Sequence, residues 1–177
     1  MAGKSSNRSR QSVRDMVLSM LAVGGVVAVA YVFVPHSEGD GVHAVPYSVE
    51  AASARRAAPY PLLSPEGLPA KWRATSVQYT DERQTGSDGH NIWHLGFVTP
   101  SGQYAAVEQS DAPRDELLGR MVAGGAADGS AAVAGRTWDR VQGGKARALA
   151  VQSGTATTLV TGTASYEELV ELAQALK

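Results

Sequence analysis

No cysteine occurs in the 177 residues, only two phenylalanines are present, and the net charge is just −1. Without a thiol the chain makes no disulfide, builds no thiolate metal site, uses no catalytic cysteine and carries no cysteine-linked lipid anchor. Packing alone must hold the fold together. The expected recognition strings are missing too. No serine lies in a Gly-x-Ser-x-Gly elbow. Gly124-Gly125 and Gly143-Gly144 lack the strand–loop–helix setting and the lysine of a phosphate cradle. These absences predict no catalytic residues, no cofactor, no metal and no enzyme.

Long apolar runs are scarce as well, with one exception. Met16 to Val34 contains no charged residue, and Ser19 and Tyr31 are its only polar side chains. As a helix it spans roughly 28 Å, close to the thickness of a bilayer's hydrocarbon core. Lys4, Arg8, Arg10 and Arg14 precede it, so the positive-inside rule keeps the N-terminus cytoplasmic and exports everything after Pro35. A cleaved signal peptide fits less well. The small-residue site Ala28-Val29-Ala30 is followed by four more apolar residues, Tyr31 to Val34, instead of a polar cleavage region. The expected organisation is a disordered cytoplasmic tail over 1–11, a transmembrane helix over 12–35, a linker over 36–45 and an extracytoplasmic domain over 46–177. With its cations left inside, the exported part is acidic, which argues against nucleic acid as a partner. The bilayer is the partner of the helix. The oligomeric state is not set by the sequence.

Within the domain, Tyr47 and Val49 suggest a short strand, and Glu50 to Ala57 one or two helical turns. The stretch from Pro59 to Pro69 carries four prolines and reads as an extended loop laid over the surface. Trp72 to Tyr79 reads as a strand. Asn91 to Thr99 is the clearest one, with Trp93, Leu95 and Phe97 on one face and His94 and Gly96 on the other. Pro100-Ser101-Gly102 turns the chain back through Gln103 to Gln109. Asp111 is placed as the cap of a helix bearing Leu117, Leu118, Met121 and Val122. Gly124 to Ser130 reads as a breaker. Ala131 to Val141, turning at Gly135, Ala146 to Gln152, and Thr155 to Thr161 follow as strands. Ser165-Tyr166-Glu167-Glu168 is a capping box that starts a final helix with Leu169, Leu172, Ala173 and Leu176 on one stripe. The expected fold is α+β: an N-terminal transmembrane helix, then a two-layer domain whose mostly antiparallel sheet has helices on one face and a C-terminal helix.

Few residues invite chemistry. His90 and His94 on a strand stand about 13 Å apart and do not converge on a metal. His94 reads as a solvent-side residue, and Asp88 with His90 as a solvated turn. Glu167, Glu168 and Glu171 make an outward carboxylate patch. Arg55-Arg56 is an exposed pair. Trp93 belongs to the core, whereas Trp72, and Trp138 with its neighbours Arg136 and Arg140, are the candidate surface for a partner or ligand.

The strings Asn7 to Met16, Ala54 to Pro61, Glu66 to Pro69, Trp93 to Phe97 and Thr161 to Ser165 resemble those of uncharacterised single-pass actinobacterial membrane proteins, the domain-of-unknown-function family numbered 4245. The resemblance implies a topology and brings no activity or catalytic residue. In layout, strands followed by a capped C-terminal helix are also similar to envelope domains near anti-sigma-factor and lipid-carrier folds. The expected function is that of a non-catalytic, membrane-anchored binding or interaction module, engaging an envelope protein or a cell-wall component. The alternative is a carrier or sensor of an apolar ligand such as a lipid, with room beside Ala105, Ala106, Ala148 and Ala150. A hydrolase is the least favoured reading.

Overall fold

A computed structural model of the chain describes Met16, Ser19, Met20, Val23, and residues 46–81 and 89–177. The chain divides into two compact units, Met1–Gly41 and Val42–Lys177. The proposed tail and linker, and most of the apolar run, lie outside the described residues. Within that run, Met16, Ser19, Met20 and Val23 are helical and exposed. Among the described residues no helix is long and apolar enough to cross a membrane.

The second unit contains ten elements: α1 (Ser48–Ala57), β1 (Arg73–Thr80), β2 (Ile92–Val98), β3 (Tyr104–Ser110), α2 (Arg114–Met121), β4 (Ala126–Val133), β5 (Arg136–Gly143), β6 (Ala146–Ser153), β7 (Ala156–Gly162) and α3 (Tyr166–Gln174). The strands form one sheet in the order β1-β2-β3-β7-β6-β5-β4, antiparallel throughout. Two meanders, β1–β3 and β4–β7, meet where β3 pairs with β7, and α2 carries the chain from the middle of the sheet to its far edge. Gly135, at φ +77°, follows Ala134 at φ 48° in a two-residue loop. Positive φ at both positions gives the turn whose twist matches that of the flanking strands.

The first face of the sheet bears Trp93, Leu95 and Phe97 of β2, Val107 of β3, Val160 of β7 and Leu149 of β6, all at most 1% exposed. Ala51 and Ala54 of α1 and Leu169, Leu172 and Ala173 of α3 close over them. The second face is covered as well. Leu117 of α2 packs on Ala150 and Leu159, and Val122 packs with Val141 and Ala148. Leu159 and Val160 are neighbours on β7, point to opposite faces and are both fully buried. The expectation of helices on one face is therefore corrected: α1 and α3 lie on one side, α2 on the other, and the middle of the domain has three layers. The α+β class, the antiparallel sheet and the C-terminal helix stand.

Several local readings change for identifiable reasons. Residues 48–57 form one helix instead of a strand and a turn, because Ala51 and Ala54 share a buried side at helical spacing. α2 begins at Arg114 with Pro113 as N-cap and no side-chain cap. The Asp111 carboxylate accepts instead from the Asn91 backbone amide and from Asn91 Nδ2, both at 2.8 Å. Gly124 to Ser130 is only partly a breaker, since β4 already runs from Ala126. The proline-rich stretch is a strap with alternate residues buried: Tyr60, Leu62 and Ser64. Gln109 Oε1 accepts from Leu63 N at 2.6 Å, Trp93 Nε1 donates to Leu63 O at 3.0 Å, and Ser64 exchanges backbone hydrogen bonds with Lys177 at 3.2 and 3.1 Å. The strap thus joins the sheet to the C-terminus. The Ser165 half of the capping box forms as read, its Oγ accepting from Glu168 N at 3.3 Å, while the Glu168 carboxylate accepts from Ser101 N and Oγ at 3.3 and 2.9 Å.

Candidate functional site

α2 lies over β5–β7, and the same face over β1–β3 carries a chain of polar side chains. Glu108 of β3 stands directly opposite His94 of β2, and Ser76 of β1 lies opposite Gly96, one diagonal step from His94. The Ser76 Oγ–His94 Nε2 distance is 2.8 Å and the His94 Nδ1–Glu108 Oε1 distance is 2.5 Å. The Glu108 side chain is 5% exposed and that of His94 27%. The Tyr104 hydroxyl, at the far end of the row, stands beside Ser76 over Gly96.

Two backbone features make the convergence fit. The register of β1 shifts between Ala74 and Ser76, a bulge that re-aims the serine. Gly96 lies beneath: a Cβ there would sit 2.4 Å from Ser76 Oγ and 2.9 Å from the Tyr104 hydroxyl oxygen. The hydrogen bond to Glu108 holds the His94 imidazolium above its ordinary range; partial burial opposes this and the Glu108 charge adds to it. Burial, with the Glu108 charge, also raises the Tyr104 phenol, against the Ser76 hydrogen bond.

The upward shift of His94 sets the sign of a pH effect. The stability it contributes is fully present below the unfolded value, about 6.5, and is lost as pH rises through the folded value. Wild type minus His94→Gln stability should therefore be larger at pH 6 than at pH 9, by about 1 kcal/mol once the partial exposure of His94 is discounted. Thermal melts of both proteins across this range measure it, and parallel pH profiles would contradict the coupling.

Other polar groups serve the fold. Tyr79 donates to Asn91 Oδ1 at 3.0 Å, and His90 Nδ1 is 3.6 Å from Asp111 Oδ1. Asp88 lies outside the described residues. Glu168 accepts from the Ser101 hydroxyl at 2.9 Å; burial would raise its carboxyl, but hydrogen bonds from Thr99 and Ser101 hold it below the usual range. Among the described residues no group of three potential ligands gathers around a metal-sized space.

The candidate partner surface is split. Trp72, just before β1, and Trp138, on β5, are five strand spacings apart in the sheet order, about 24 Å. Both are buried, 7% and 4% exposed, and neither indole N–H has a hydrogen-bond partner among the described residues. Arg136, Trp138 and Arg140 do share a face of β5. Arg136 donates to Gln152 O at 2.9 Å, and the Arg140 guanidinium lies 3.6 Å over the Tyr166 ring. Beside them, α2 and the β4–β5 hairpin border a groove of about 530 Å³, lined by Arg114, Asp115, Leu118, Val122, Asp139 and Arg140. Arg114 pairs with Asp139 at 2.7 Å, and Arg140 Nη2 is 3.8 Å from Asp128.

The polar row was not legible from spacing. Ser76, His94 and Glu108 are far apart in the chain, and only the pairing of three strands brings them together. The one local signal was His94 beside Gly96 on the polar side of β2. The chain belongs to a family of proteins of unknown function, DUF4245, which it matches over residues 8–176. No curated protein matches it. Among solved structures it is similar to MucB, determined in complex with MucA(peri), at 14% identity and a TM-score of 0.38; the likeness covers 65% of this chain and 35% of that one.

Proposed function

We propose that this member of the family is an interaction module tethered to the cell membrane by its apolar N-terminal segment, with the folded domain outside, where it takes an extended segment of an envelope partner along the β4 edge. The observation that carries this reading is the edge itself. Among the described residues β4 pairs only with β5, and residues 126–130 and Ala132 are exposed. Edge strands are ordinarily blunted by Lys, Pro or a bulge. β4 has no Lys or Pro; its register irregularity is confined to the stretch between Ala127 and Ser130, where Asp128 faces Arg140, and Ser130 to Val133 stay in regular pairing with β5. The groove beside it offers both signs of charge to a peptide's side chains, as strand addition uses backbone pairing for affinity and neighbouring sites for selectivity. The tether rests on the charge-free run after four cations, and on the exposed helical Met16, Met20 and Val23, which share one side.

The carrier reading has less support. The room expected beside Ala148 and Ala150 is taken by Val122, Val141 and Leu117. The test is photo-crosslinking from a reactive residue at Ala132 in intact membranes, with the exposed Gln174 as control. A defined protein adduct from position 132 and none from 174 is expected; equal yields, or no adduct at 132, would overturn the reading.

A further inference from the structure

We propose that Ser76 is an activated nucleophile for acyl esters, with His94 as its general base and Glu108 as the positioning residue. This goes beyond the interaction role and does not rest on it. The three side chains stand in the relation that acyl transfer requires. The serine oxygen is within hydrogen-bond reach of one imidazole nitrogen, and the other nitrogen is held by a buried carboxylate. Exposure is graded in the sense the chemistry needs: Glu108 is 4% exposed, while Ser76 and His94 are half-buried and within reach of a substrate. The Tyr104 hydroxyl lies beside Ser76, where a side-chain donor can meet the charge that develops on an attacked carbonyl oxygen. Gly96 leaves the space in which these hydroxyls meet.

With neutral His94 donating Nδ1–H to Glu108, Nε2 takes the Ser76 proton as Oγ attacks the ester carbonyl. The Ser–O–acyl bond forms, the acyl–OR bond breaks, and the imidazolium returns the proton to the leaving alkoxide, releasing an alcohol. Water activated by the same imidazole then hydrolyses the acyl-serine to a carboxylic acid and restores Ser76. Tyr104 is 40% exposed and Ser76 and His94 are half-buried, so the hydroxyl end of the row is accessible while its carboxylate end is not. The chemical class that fits is therefore an ester displayed on a larger molecule, not a small substrate enclosed on all sides.

The experiment uses the full chain in detergent and a fluorophosphonate probe. Attack by Ser76 Oγ on phosphorus forms an O–P bond and expels fluoride, with the proton passing to His94. Peptide mass spectrometry should find the adduct on Ser76, absent in Ser76→Ala and formed at least about 100-fold more slowly in His94→Gln, the scale of a general base. Glu108 and Tyr104 are the ionisable groups that face the imidazole from β3. Because Glu108 raises the imidazole, Glu108→Gln should move the midpoint of the labelling pH profile downward, which a merely structural role would not do. Thermal melts confirm that each variant is folded. No adduct on Ser76 of the folded wild type at pH 8, or labelling as fast in folded His94→Gln as in wild type, would overturn the proposal.

Discussion

Trp93→Ala should remove most of the stability of the domain. Trp93, near the start of β2, is fully buried on the first face, and its indole N–H donates to Leu63 O of the strap at 3.0 Å. Truncating a buried Trp to Ala costs about 3–5 kcal/mol through lost transfer energy and the cavity left behind. The orphaned carbonyl of Leu63 adds to that. Against a total stability of about 5–15 kcal/mol, this is the difference between a folded and a partly unfolded population at room temperature. Urea unfolding measures it. Trp93→Phe keeps most of the volume and loses the hydrogen bond, so its cost should be clearly smaller. A midpoint for Trp93→Ala equal to that of Trp93→Phe would mean that the buried ring volume contributes little, contrary to its full burial in the core.

Gly162→Ala is expected to be about as damaging, by a different route. A Cβ at Gly162 would sit 2.1 Å from Tyr104 O, 2.8 Å from Tyr104 C and 2.9 Å from Ala105 Cα, all backbone atoms. β7 cannot move aside, because Gly162 is paired with Ala105 on one side and Arg147 on the other. The same Tyr104 carbonyl accepts from Thr163 N at 2.9 Å and from Ala164 N at 3.1 Å, so displacing it disturbs the entry to α3 as well. Overpacking against an immobile backbone together with a strained φ costs about 3 kcal/mol or more. Gly154→Ala is the control: its φ is +59° but nothing lies within 4 Å, so only the left-handed strain applies, about 1 kcal/mol. Equal losses of stability for the two variants would contradict the close approach of β7 to β3.

These two residues mark how far the sequence can be read. Trp93 was assigned to the core from alternation with Leu95 and Phe97, and it is there, because a strand's period of two is a local property. Gly162 carries no local sign of its role, since what forbids a side chain is a carbonyl from a strand 58 positions earlier in the chain. The capping box at Ser165 and the β2–β3 hairpin were legible for the same reason as Trp93. Asp111 misled because its carboxylate had two uses open to it. Pairing with Asn91 across the sheet end displaced the cap that proximity to Pro113 suggested.

From the residues alone followed the period-two strands, the punctuating glycines, the capped last helix, the absence of thiol chemistry and the charge-free N-terminal run. These depend on neighbours within a few positions, where sterics and hydrogen bonding act directly. Only the tertiary structure decided that helices cover both faces, that the proline-rich strap is pinned by Gln109 and Trp93, and that Ser76, His94 and Glu108 lie in one row. Those facts arise from strand order and register, which are set by the burial of the whole sheet and not by any one segment.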